Sequence, residues 1–295
     1  MKKEYPGNGN LRTNLLHEYS LHQAVFNAFD HYEDIIQSDV QVPRPQDMIL
    51  ATNDTYWTQH LEKFPAKYRQ PGNMVLMERI LPLPKAIRQA LITQFYPRDG
   101  NTTLDSATIT RVLNKTPNKH CLARVYLGKS TGSFNKEGFT LRNFPLYLNS
   151  MQELGMDVKA LASAMGKAFA IMHWGAGVSG DDVEFVLGSS AIGLENDLNF
   201  QQREIRFYLL DFGQCDEVNF SDNVEDVYQA FKGAMILGDN QSFIPHYRNS
   251  GELYTAFREG YIKAGQYIVE EKGLGGKFNI EEFIREYQEY AEDFL

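Results

Sequence analysis

Four carboxylates carry the chemistry this 295-residue chain could do. Asp181, Asp182 and Glu184 lie within "VSGDDVEFVLG", and Asp211 ends a short apolar run in "YLLDFGQC". Carboxylates gathered in one site must bind a cation or share protons, because like charges raise one another's pKa. With few metal ligands nearby, the natural partner is an ammonium or a guanidinium, the latter held through two parallel hydrogen bonds. A member of such a group can also act as a general base, taking the proton from an attacking amine. His173 is a second candidate base, although a His at the end of a buried helical stripe more often serves structure. Ser179, Ser189 and Cys215 are conceivable nucleophiles without an activating motif, and Cys215 reads equally as a small buried hydrophobe.

The order of these residues matches part of the phosphotransfer apparatus of protein kinases. That apparatus needs a Gly-rich loop, a Lys held by a helix Glu, a catalytic-loop Asp and Asn, and an Asp-Phe-Gly segment. Asp211 answers to the last and Asp181 to the catalytic Asp, with Ser179 in place of the motif His and Val186, or Phe185 if one residue is missing, at the Asn position. Glu18 sits where the lysine-pairing Glu would lie. No strand-borne lysine is expected for it, since Lys2 and Lys3 stand so near the start, and "PGNGN" is a weak phosphate-loop signal. Two acids are kept while lysine, loop and Asn are missing, which argues against ordinary ATP-dependent transfer.

The elements around these residues read as α+β. Helices are expected over 14–37, 85–96, 151–173, 224–237, 252–268 and 279–294 from apolar residues three and four apart. Short strands are expected at 48–52, 74–80, 121–127, 183–187 and 205–211, with a polar loop over 189–204. The prolines of "MERILPLP" mark a crossover at 77–84. The expected architecture is a two-lobed, degenerate protein-kinase-like fold with a mainly helical C-terminal lobe. Residues 1–80 form the first lobe and 81–295 the second, with an insertion at 97–140.

Charge is unevenly shared. The chain carries −9 in all; residues 1–150 carry +5, residues 151–295 carry −14, and the window 63–142 alone carries +10. That pattern fits either a polyanion-facing region joined to an acidic one or two solvated faces. No stretch approaches a membrane span, and the start lacks the apolar core of a signal peptide, so a cytoplasmic protein without membrane partners is expected. Two cysteines, Cys121 and Cys215, make no disulfide framework, and no zinc-ligand spacing is present.

The blocks "MERILPLP", "CLARVYLGK", "FTLRNFPLYLNSMQELGMD", "MHWGAGVSGDDVEFVLGS" and "YLLDFGQC" resemble a fungal family of domains of unknown function, often labelled zinc-finger proteins. The resemblance covers roughly residues 14 to 250. Ser179-Gly180-Asp181 and Gly213 depart from the family's usual residues. Some of its members resemble arginine-containing cyclodipeptide synthases, which join arginine and a second amino acid from aminoacyl-tRNAs into a diketopiperazine. The resemblance implies arginyl-tRNA and a second aminoacyl-tRNA as partners, no DNA, and no cofactor beyond the activated ester. It implies catalysis by Asp181, Asp211, Glu184 and His173, with substrate contacts from Asp182, Glu78, Arg79, Trp174 and Ser179. Arg111, Lys115, Lys119, Arg124, Lys129 and Arg142 would hold tRNA phosphates. Under the alternatives, a small-molecule phosphotransferase using Mg-ATP or a non-catalytic partner-binding protein, these contacts would differ.

Overall fold

Asn14 starts the first long helix by accepting a hydrogen bond from the Leu16 N–H at 3.1 Å. The structure, a computed structural model, describes residues 1–4, 14–98, 100, 103–131, 134–192 and 202–294. The Gly-x-Gly of "PGNGN" and the centre of the expected polar loop therefore lie outside the described residues. Helix α1 (Leu15–Ile36) ends where Gln37 turns left-handed at φ 51°. It packs between a small sheet and the helical body.

The small sheet is antiparallel, in the order β1 (Lys2–Lys3), β4 (Met74–Met77), β3 (Pro45–Ile49). Its own core is Ile49, Trp57, Phe64 and Met74, with Trp57 supplied by helix α2 (Asp54–His60). The large sheet has the order β2 (Val40–Gln41), β8 (Gln202–Leu210), β7 (Glu184–Ile192), β5 (Ala123–Tyr126), β6 (Phe144–Tyr147). The chain passes between the sheets at Leu81–Leu83. There Leu81 pairs with Ser189, and the Ser189 hydroxyl donates to the Pro82 carbonyl at 2.9 Å. This bond and full burial make Ser189 a structural residue.

Helices α3 (Lys85–Phe95) and α4 (Ser106–Leu113) pack on one another and precede β5, and α5 (Leu148–Glu153) follows β6. Helices α6 (Val158–Ala170), α7 (Val224–Ile236), α8 (Asn240–Phe243), α9 (Gly251–Glu271) and α10 (Ile280–Phe294) complete the body. The chain is thus mixed α+β with two sheets among the described residues. No helix there is long and apolar enough to cross a membrane.

One expected helix divides. Residues 151–173 form the end of α5, a break, then α6 and a wider turn at Ile171–Gly175. Gly155 is left-handed at φ 67°, and Asp157 caps α6 by accepting from the Ala160 N–H at 2.9 Å. Local capping beats the apolar stripe, and Leu154 stays 40% exposed. Strand β7 runs five residues beyond its expected end at Leu187, to Ile192, because β8 pairs with it over the full length.

Candidate functional site: an acidic cleft beside a lysine clamp

Successive residues of a strand face opposite ways, and β1 uses both. Lys3 turns toward the small core, its ammonium 4.7 Å from the Trp57 ring centre, and donates to the Tyr68 carbonyl at 2.8 Å. Lys2 therefore faces the other side, donates to both Glu18 oxygens at 2.8 Å, and reaches Asp211 Oδ1 at 3.1 Å. The expectation that no lysine reaches Glu18 is overturned. Pairing with β4, in the register Lys2 to Val75, fixes even this short strand. Burial pulls the Lys2 pKa down, but the bond to Glu18 and the charges of Asp211 and Glu18 outweigh it, so the net shift is upward. Burial pushes the Glu18 carboxyl up, with Lys2 opposing.

Asp211 is held by its neighbours. Phe212 is buried with its ring 5.3 Å from that of His22 on α1, and Asp211 itself is left-handed at φ 68°. Gly213 leaves room for the Glu18 carboxylate, since a Cβ there would stand 3.0 Å from Glu18 Oε2.

The 179–182 segment folds back against 214–216. The Ser179 N–H donates to the Asp216 carbonyl at 2.9 Å, and the Asp216 N–H to Ser179 Oγ at 2.9 Å. The Ser179 hydroxyl in turn donates to Asp181. Gly180 makes the turn at φ 83°, where a Cβ would meet Met172 at 2.3 Å. Burial is the main reason the Asp181 carboxyl is raised above the usual range, and Asp216 and Asp182 add to it. Asp182 accepts from Gln214 and, at 3.3 Å, from the Asp239 N–H.

Two clefts share Asp181, Asp216 and Leu237. One, of about 410 Å³, is bounded by His17, Asp182, Gly213 and Gln214. The other, of about 300 Å³, has Glu217, Asp222 and Asp226 on its rim and Val218, Val227 and Ala234 on its floor. Neither lining contains a lysine or an arginine among the described residues.

The remaining expected site residues lie elsewhere. Glu184 already holds a guanidinium, that of Arg124, which also donates to Asp239 at 2.9 Å. Burial raises the Glu184 carboxyl while Arg124 lowers it, and Asp211 adds to the rise. Arg124 is thus spent inside the protein, against its expected phosphate contact, and Glu184 positions it rather than a substrate. His173 and Trp174 have no exposed surface, so neither can touch a ligand. Both bond the Tyr261 hydroxyl, His173 at 2.8 Å and Trp174 at 2.9 Å, and burial takes the His173 pKa down to about 3. Ser179 is 2% exposed and fixes the loop. Burial pushes the Cys215 thiol well up, which removes it as a nucleophile. Glu78 borders a separate cleft between α1 and β2, accepting from the Arg44 N–H at 3.1 Å, and Arg79 is exposed beside it in sequence.

Arg111, Lys115, Lys119, Lys129 and Arg142 are exposed, and their side chains make no ion pair among the described residues. Asn118 joins the first three to Arg142: its side chain donates to the Val112 carbonyl at 2.7 Å and accepts from the Leu141 N–H at 2.7 Å. These four stand at the N-terminal ends of the parallel pair β5 and β6. Lys129 stands beyond the C-terminal end of β5, the end that faces the acids. Reasoning from sequence missed Lys2, Asp216 and Asp239. The alternation in "MKKE" could have signalled the first, while the other two become site residues only through the fold.

Comparison with family models, curated proteins and solved structures finds no match.

Proposed function

We propose that the chain is an aminoacyl-tRNA-dependent cyclodipeptide synthase taking arginine, on a two-lobed, degenerate kinase-like fold. The observation that carries this reading is the pair of adjoining clefts walled by carboxylates, with no lysine or arginine in either lining among the described residues. A cationic side chain is attracted there and a triphosphate repelled. Asp182 and Asp216 are placed to hold a guanidinium, and Asp181, between the clefts, to serve as base. Its pKa, raised chiefly by burial, makes it a stronger base than an exposed carboxylate.

In the first transfer, the α-amine of one aminoacyl group attacks the ester carbonyl of the other. Asp181 takes the amine proton as the amide forms and passes it to the tRNA 3′ oxygen as that oxygen leaves, which frees the carboxylate for the second attack. A second attack, by the free amine of the resulting dipeptide on the remaining ester, closes the ring and releases the second tRNA. Both esters are activated beforehand, so no ATP is consumed at the enzyme.

The test is to incubate purified protein with arginyl-tRNA and a mixture of other aminoacyl-tRNAs, then analyse cyclic dipeptides by mass. An arginine-containing product is expected, and its absence with every partner would falsify the proposal.

Lys2 clamped by Glu18 beside Asp211 favours a second reading, a small-molecule phosphotransferase. Protein kinases hold nucleotide phosphates with a lysine–glutamate pair and magnesium with the Asp of Asp-Phe-Gly. The fit here is partial, because the position of the second metal ligand carries buried Val186. Stabilisation by Mg-ATP that disappears in Lys2→Met would favour this reading.

A further inference from the structure

A fourth cleft, of about 460 Å³, opens at the C-terminal ends of β5 and β6, the same edge of the sheet that carries the acids. Half-buried Phe95 and Phe134 line it, their ring centres 5.7 Å apart, and Arg98 is exposed on its rim. The rim is braced: Asn149 binds both the N–H and the carbonyl of Thr131, and Gln94 donates to Glu153. Aromatic contacts connect this cleft to the acid site. Phe134 lies 6.2 Å from Tyr147, Tyr147 lies 5.6 Å from Tyr126, and the Tyr126 hydroxyl donates to Asp239 at 3.2 Å. Unpaired Lys129 stands beyond the end of the strand that carries Tyr126.

Phe134 stacks on buried Phe144 at 5.1 Å, and Arg98 donates to the Thr93 carbonyl, so the rings are held in place and the guanidinium is anchored at the rim. Partly exposed aromatic rings beside cations are how proteins hold unstacked bases and their phosphates. We infer that this cleft takes the terminal bases of a single-stranded RNA 3′ end, with Arg98 and Lys129 on its phosphates. Bases docked there would direct the terminal ester toward Asp181 and Asp216. The inference rests on the aminoacyl-tRNA reading, and it adds the site that orients the substrate.

The experiment compares binding of uncharged tRNA, intact and with its last three nucleotides removed, to the full chain at fixed salt. Intact tRNA should bind about tenfold or more tightly than trimmed tRNA, from one or two stacked bases. Phe95→Leu and Phe134→Leu keep apolar volume but remove the flat face, and each should shrink that ratio toward one. Arg98→Gln and Lys129→Gln, both exposed changes, should weaken intact tRNA more than trimmed. Equal binding of the two RNAs by the unmodified protein, or a ratio retained in every variant, overturns the inference. Arginine-containing product formed in either case shows the synthase reading standing without it, whereas no product removes that reading too.

Discussion

Asp181 shows most clearly how burial and hydrogen bonding set a residue's chemistry. Its folded carboxyl holds a proton to higher pH than in the unfolded chain, burial being the chief cause. Stability from this group is therefore full below the unfolded pKa and lost as pH rises through the folded one. Asp181→Asn should raise the unfolding midpoint at pH 7 by about 1–3 °C. The gain should vanish near pH 4, and product formation should fall about a hundredfold or more. Thermal scans across pH and a rate assay check both. Lys2→Ala should cost about 1 kcal/mol, a modest figure because Lys2 is 47% exposed. Glu18, 12% exposed and already raised, then loses its partner, so the deficit should be larger at pH 8 than at pH 5. Urea titrations at the two pH values measure it. The acids were legible as residue types, but their availability was not: Glu184 and Arg124 cancel one another, a pairing across β5 and β7 that no local spacing reveals.

Among elements, the crossing of α6 and α9 supports the loop that carries Asp181. Two glycines set its closeness: a Cβ on Gly166 would stand 2.0 Å from the Phe257 carbonyl, and one on Gly260 2.5 Å from the Ser163 carbonyl. Both obstacles are backbone, so the helices must part. Gly166→Ala should destabilise by about 3 kcal/mol, read from denaturant unfolding. Helix α1 was legible because apolar periodicity and its cap at Asn14 agree, whereas α6 was legible in its apolar stripe but not in its start, the Asp157 cap lying inside the helix expected over 151–173. Strands β2 and β6 were not. One is two residues long and the other four, and their pairing with β8 and β5 is set by distant sequence. The helix expected across Gly155 failed because a left-handed glycine and an aspartate cap outweigh the apolar spacing that continues from Leu154 to Val158.

Across the whole molecule, charge is sorted by place. The acid clefts lie at one end of the large sheet, and Arg111, Lys115, Lys119 and Arg142 at the other. A tRNA body held at the basic end and a 3′ terminus reaching the acidic end would use both. Four phosphate contacts should give a fall in log K against log salt of about 0.7–0.9 for each. Replacing Arg111, Lys115 and Lys119 by Gln should flatten that slope by about 2–3, measured by tRNA binding between low and physiological salt. The net imbalance was legible in composition, but Arg124 inflated the count of free cations, since only the fold shows it turned inward.

The central claim, that the acid clefts recognise a positive side chain, is met most directly by calorimetry with arginamide and citrullinamide. The two have nearly the same shape and differ in charge at the side-chain end. Arginamide should bind at least about tenfold more tightly, and Asp182→Asn should erase most of that preference. Equal affinity for the two amides, with Mg-ATP bound in place of arginamide, contradicts the account.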